Sequence, residues 1–132
     1  MSLFQRTLWN FAVTNRLCVL VTGPNVVTGA FLDKYGTKLP LRVTHVACDR
    51  VAAIGEWETG GTVVLHDVDR LAPAWQSELL EWLNEEAGRT QVVSTTSRSL
   101  LPLIDTGDFL PTLFYRLNTI HIRLARGTQQ LQ

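Results

Sequence analysis

Cys18-Val-Leu-Val-Thr22, running directly into Gly23-Pro-Asn-Val-Val-Thr-Gly29, is the stretch on which the fold of this chain turns. Its first half is short, wholly apolar at its centre and rich in β-branched residues, which suits a strand buried on both faces. The second half reads as a loop that opens a short helix, Ala30 to Tyr35, stopped by Gly36. Strand, loop and helix in that order form half of a crossover unit, and crossovers build parallel sheets.

The neighbouring segments repeat the alternation. Before the strand, Leu3, Phe4, Leu8, Phe11 and Ala12 fall at helical spacing over Ser2 to Arg16, with Ser2 as N-cap. After it, Leu41–Ala47 is a strand, Asp49–Glu58 a short helix, and Gly60-Gly61 a break before the strand Thr62–Leu65. Ala74–Ala87 is the clearest helix, with Pro73 in its first turn and Gly88 at its end. Trp75, Leu79, Trp82 and Leu83 line its buried face, while Glu78, Glu81, Glu85 and Glu86 form the solvated one. Thr90–Thr95 is a further strand, and two short helices divided by Gly107 and Pro111 lead to a last strand, Asn118–Leu124. The expectation is an α/β three-layer sandwich: one domain over residues 1–126 on a mainly parallel five-stranded sheet, with a frayed tail over 127–132.

Composition narrows the functional classes. At 132 residues, 45% hydrophobic and 18% charged, the chain has globular composition and enough length for one core. Twelve Lys and Arg balance twelve Asp and Glu, so the basic surplus of a sequence-independent nucleic-acid binder is missing, and direct DNA binding is not expected. No apolar run approaches the roughly 20 residues of a membrane span. Gln5, Arg6, Thr7 and Asn10 interrupt any signal-peptide core, and Cys18 and Cys48 read as reduced thiols in apolar segments. The expectation is a cytoplasmic domain.

In parallel sheets, ligands sit beyond the carboxyl ends of the strands. Here these ends are Gly23–Gly29, His66–Asp69 and Thr95–Arg98. A glycine-containing loop opening a helix can cradle phosphate with backbone N–H groups, a Lys supplying the charge. Counting Gly-x-x-x-x-Gly-Lys from Gly23, Gly29 stands where the Lys belongs and Ala30 where a Ser or Thr would hold magnesium. A plain strand-to-helix turn is the competing reading of that loop. At the second strand end, alternation puts His66 and Val68 on one side and Asp67 and Asp69 on the other. No second ligand cluster accompanies them, so no metal site is expected. His45 and His121 lie inside strands without acidic neighbours, and neither cysteine has a base nearby in sequence. Trp75 and Trp82 belong to the core, and either Trp9 or Trp57 is a candidate for exposure at an interface.

The order of these motifs resembles the AAA+ domain of bacterial sigma-54-dependent transcription activators, from about Phe11 to Leu124. Gly60-Gly-Thr-Val-Val-Leu-His-Asp-Val-Asp-Arg-Leu71 is similar to the family's Walker B segment, Gly-Gly-Thr-Leu-Phe-Leu-Asp-Glu. Gln76-x-x-Leu-Leu-x-x-Leu-x-Glu85 resembles the helix that follows it, and Val92-Val-Ser-Thr-Thr-Ser-Arg98 the sensor-one strand. Gly107-Asp-Phe-Leu-Pro-Thr-Leu-Phe-Tyr-Arg-Leu-Asn118 tracks the family's Gly-x-Phe-Arg-x-Asp-Leu-Tyr-Tyr-Arg-Leu-Asn. The resemblance implies a P-loop NTPase core, here without the family's helical lid and DNA-binding segment.

It also marks departures. The Walker A Lys is absent, His66 stands at the Walker B Asp, Asp67 at the catalytic Glu and Ser97 at the sensor-one Asn. Leu110 replaces the first arginine-finger residue, and Arg116 matches the second. Between Leu41 and Gly60 the family's sigma-contacting Gly-Ala-Phe-Thr-Gly-Ala loop is missing. Losing several charges that stabilise phosphoryl transfer argues against useful ATP hydrolysis. The implied function is a non-catalytic domain that regulates transcription through contacts with an activator or with itself. The alternative is a nucleotide sensor, holding ATP or ADP, with magnesium, at Gly23, Pro24, Asn25, Thr28, Gly29, Ala30, His66, Asp67 and Ser97, with Asp69 a further polar contact. A receiver-like signalling domain is disfavoured because Thr22-Gly23-Pro24 stands where its acidic pair would be.

Overall fold

The computed structural model describes residues 1–125; the tail expected over 127–132 lies outside the described residues. Helix α1 (Leu3–Thr14) starts with a capping box, in which Gln5 N–H donates to Ser2 Oγ at 3.1 Å and Ser2 N–H to Gln5 Oε1 at 3.1 Å. It ends before Arg16, which takes a left-handed φ of 55° and turns the chain into β1 (Val19–Thr22). Helix α2 (Asn25–Tyr35) follows, then β2 (Val43–Ala47), β3 (Thr62–His66), α3 (Pro73–Glu85) and β4 (Gln91–Thr96). Two short helices, α4 (Leu101–Asp105) and α5 (Pro111–Leu117), lead to β5 (Ile120–Arg123).

The five strands are ordered β2-β3-β4-β1-β5, and every pairing is parallel. Alternation along the strands divides the core in two. Val19, Val21, Val64, Val93 and Ile122 pack on one face with Trp9 and Ala12 of α1 and Phe31 of α2. Leu20, Val63, Leu65 and Val92 pack on the other with Leu79, Trp82 and Leu83 of α3 and Leu113 and Leu117 of α5. The expected three-layer α/β sandwich is what forms, with a wholly parallel sheet.

Four expectations are corrected. The loop over Gly23–Gly29 is only Gly23-Pro24, because α2 begins at Asn25 rather than Ala30. Pro24, with φ −54°, suits the position before a helix, and its carbonyl accepts Val27 N–H at 2.8 Å and Thr28 N–H at 3.0 Å. The helix expected over Asp49–Glu58 is a single 3-10 turn, Cys48–Arg50, followed by irregular chain that buries Ile54. Glu86 is not on the solvated face: it accepts from Arg89 Nη2 at 2.6 Å and Thr90 Oγ1 at 2.8 Å. Burial alone would raise its carboxyl pKa, but these two bonds prevail and hold it below the usual range. Lastly, neither uncertain tryptophan is fully exposed. Trp9 is buried edge-on against Phe31, and half-buried Trp57 meets Trp82 in the same way.

Candidate functional site

The carboxyl ends of β1, β3 and β4 meet at one edge of the sheet. At the end of β1, Gly23 lies where backbone approaches closely: a Cβ built on it would stand 2.5 Å from the Leu124 carbonyl oxygen. Gly23 N–H donates to Thr96 O at 3.1 Å, tying the turn to β4. Steric approach alone therefore requires this glycine. Thr28 is buried in the first turn of α2, its hydroxyl donating to Asn25 O at 3.2 Å. Asn25, Gly29 and Ala30 are exposed on that helix, and Lys34 sits farther along it, 5.4 Å above the Tyr35 ring.

At β3 the alternation expected through Asp69 stops at His66. Asp67 adopts a left-handed φ of 55° and opens a 3-10 turn, Val68–Arg70, which buries Val68. His66 stays on the α2 face, where its Nε2 lies 2.8 Å from Nδ1 of His45 on the neighbouring strand. Sequence reasoning missed this pair, because only the β2–β3 register brings residues 45 and 66 into a diagonal contact. Burial, then the His45 charge, push the His66 pKa down against the opposing pull of Asp67.

Asp69 points away from solvent, its side chain 6% exposed, and is neutralised from β4. Arg98 Nε donates to Asp69 Oδ2 at 2.9 Å and the Thr96 hydroxyl to Oδ1 at 3.0 Å. A carboxylate that could have faced a cation is thus engaged by the protein's own guanidinium. Ser97 is exposed beside this network. Among the described residues, no group of three His, Cys, Asp or Glu converges on a point.

The sheet brings Gly23, Pro24, Asn25 and Thr28 together with Asp67 and Ser97 along this edge. Arg116 lies elsewhere: its Nε donates to Asn84 Oδ1 at 3.2 Å and its Nη2 to Leu83 O at 3.3 Å, near Cys18 at the opposite edge of the sheet. Burial pushes Cys48 up to about 12, aided by Asp67, Asp69 and Asp49, and burial also raises Cys18 against the influence of Arg116.

Half-buried His66 and His121 make stability pH-dependent. Burial, then the Arg123 charge, lower His121 as burial lowers His66, so the unfolded chain binds more protons than the folded one below the ordinary value of 6.5. Stability is expected to be full above that value and to fall as pH drops below it, through the folded pKa values. Urea unfolding at pH 7 and pH 5.5 checks this, and His66→Gln should flatten the difference.

Fold and strand order define a P-loop NTPase-type α/β domain. NtrX from Brucella abortus, in complex with ADP, superposes with a TM-score of 0.71 at 16% identity, covering 92% of this chain and 34% of that one. The P-loop NTPase domain of a sigma-54 transport activator from E. coli gives 0.65 at 17% identity, covering 92% of both chains. The chain belongs to the Sigma-54 interaction domain family, whose pattern matches residues 4–126. It is 30% identical over 88 residues to the HTH-type transcriptional regulatory protein TyrR of Enterobacter agglomerans, covering 58% of this chain and 17% of TyrR. The Nif-specific regulatory protein of Azotobacter vinelandii is 32% identical over 80 residues, 52% of this chain and 15% of that protein. This is a sigma-54-activator-type AAA+ domain of the kind found in transcription regulators. No helix among the described residues is long and apolar enough to cross a membrane.

Proposed function

We propose that the domain is non-catalytic and regulates transcription in the cytoplasm through protein contacts, with a sigma-54 activator or with a second copy of itself, and without touching DNA. The observation that carries this reading is the two-residue turn Gly23-Pro24 where a phosphate loop would be needed. A triphosphate needs free N–H donors and a fixed positive charge. Here no Lys stands in the turn, the Gly23 N–H is already given to Thr96 O, and Gly23 abuts Leu124. Asp69, the most buried carboxylate near the site, is occupied by Arg98. Residues Gly23, Pro24, Asn25, Thr28, Gly29, Ala30, His66, Asp67 and Ser97 therefore lack the fixed positive charge that magnesium-ATP requires.

Protein contact is favoured by the outer face of α1, where Leu3, Phe4 and Phe11 are exposed at 72%, 70% and 55%. Native mass spectrometry tests the reading directly. A self-associated species, or a complex with an added sigma-54 activator, is expected, and Phe4→Ser with Phe11→Ser should reduce it. A strict monomer that takes up no activator contradicts it. The second reading, a sensor for ATP or ADP, is favoured by one observation: NtrX of the same fold is known with both nucleotides.

A further inference from the structure

A cavity of about 410 Å³ lies on the α3–α5 face of β1, β4 and β5, away from α2. That falls in the range of small-molecule pockets, roughly 300–1,000 Å³. One side of it is formed by β5, an edge strand of the sheet. The register sets its chemistry. Thr22 is paired with Thr96 on one side and Arg123 on the other, so two hydroxyls and a guanidinium stand in one row at the carboxyl end of the sheet. One rung inward on the same face, Ser94, Leu20 and His121 form a second row.

Polar and apolar parts of the cavity are separated as in a built site. Leu20, Leu100 and Phe114 supply apolar wall, and Leu20 and Leu100 are almost wholly buried. Thr22, Thr96 and Arg123 supply the polar end, where Thr22 Oγ1 lies 2.7 Å from His121 Nε2. Below Thr96 the Ser94 hydroxyl is buried without a hydrogen-bond partner, an uncompensated polar atom on the same face. Among the described residues no acidic side chain lines the cavity, and the Asp69 carboxylate behind Thr96 is already paired with Arg98. Burial and then the adjacent Arg123 both lower the His121 pKa, which disfavours a second positive charge there. Among the described residues lining the cavity, Arg123 is the one Lys, Arg, Asp or Glu, and it is exposed at the rim on the edge strand β5.

We propose that this cavity is a binding site for a small organic carboxylate with an apolar, ring-sized body. The carboxylate would sit at Arg123, whose planar donors match it in bidentate fashion, with the Thr22 hydroxyl beside it. The body would lie against Phe114 and Leu100, gaining offset ring contact and apolar burial. None of its lining residues is among those considered for nucleotide near α2, so it stands whether or not nucleotide binds there.

The test uses the full chain with 3-phenylpropionate and its uncharged counterpart 3-phenylpropanamide, followed by amide and imidazole NMR shifts. Saturable shifts at Thr22, Thr96, His121 and Arg123 are expected with the acid. Affinity should fall by about tenfold or more for the amide, and similarly for Arg123→Gln, as loss of a charge-assisted hydrogen bond requires. Arg123→Lys should restore part of it. No saturable shift with the acid, equal affinity for acid and amide, or shifts confined to other residues would each overturn the proposal. The acid-to-amide comparison is made on the natural chain, so the outcome does not depend on how well any variant folds.

Discussion

Replacing Gly23 by Ala is expected to cost about 3 kcal/mol of stability, the scale of a forced steric clash with fixed backbone. The added methyl would stand 2.5 Å from the Leu124 carbonyl oxygen and 3.2 Å from its Cβ. Relief would require moving Leu124, whose own N–H donates to Thr22 O at 2.7 Å, or moving the turn, which is held by Gly23 N–H on Thr96 O. Either shift unpicks the sheet edge that aligns β1, β4 and β5. The comparison is Gly29→Ala, where nothing lies within 4 Å of the new methyl and the residue is inside α2. That change should stabilise by about 0.5–1 kcal/mol, because Ala is the better helix former. Urea unfolding of the two variants gives the answer, with opposite signs expected. A Gly23→Ala chain as stable as the natural one would show that this glycine is not held by packing, and would reopen a ligand-binding reason for it.

Gln76→Leu is expected to cost a similar amount, about 2–4 kcal/mol, although the substitution is apolar and the site is buried. Gln76 is 1% exposed, and both ends of its amide are used. Its Nε2 donates to Leu71 O at 3.1 Å and Asp108 O at 2.9 Å, while Oε1 accepts Leu110 N–H at 2.8 Å. One side chain on α3 thereby satisfies backbone groups on both the 3-10 turn after β3 and the loop before α5. Leucine would leave these groups unpaired, at about 1–3 kcal/mol for each one truly sealed from water. Guanidinium or urea unfolding measures the loss, and amide exchange at Leu110 should quicken with it. An unchanged midpoint would mean that water replaces the amide and that the loop is less sealed than its contacts imply.

Much of this fold is legible in the residues. The runs at 18–22 and 62–65 are apolar at their centres on both faces, as the middle of a parallel sheet requires, and with the β-branched run at 90–95 they became β1, β3 and β4. Helix α3 follows directly from Pro73, its apolar stripe and Gly88. What failed did so for physical reasons. Gly29 looks like the end of a loop, yet an exposed glycine is tolerated inside a helix, and Pro24 fixes the start of α2 earlier. Glu86 reads as one more surface carboxylate, because nothing in the sequence shows that Thr90 and Arg89 turn back onto it. The His45–His66 contact and the row Thr96–Thr22–Arg123 both depend on strand register, which no single segment carries. For the site, the missing Lys is visible from spacing alone. That the loop itself is reduced to two residues, and that Asp69 is closed off by Arg98, required the fold.

The most direct measurement is a calorimetric titration of the natural chain with ATP at millimolar magnesium, repeated with Gly29→Lys. No saturable heat is expected from either protein, since a lysine on the exposed side of α2 does not rebuild a loop that the helix has absorbed. Thermal unfolding should be equally indifferent, whereas a ligand at 100 times its Kd would add about 2.7 kcal/mol of stability. Saturable binding of ATP by the natural chain at micromolar affinity would contradict a domain that works through protein contacts alone, and would make it a nucleotide sensor.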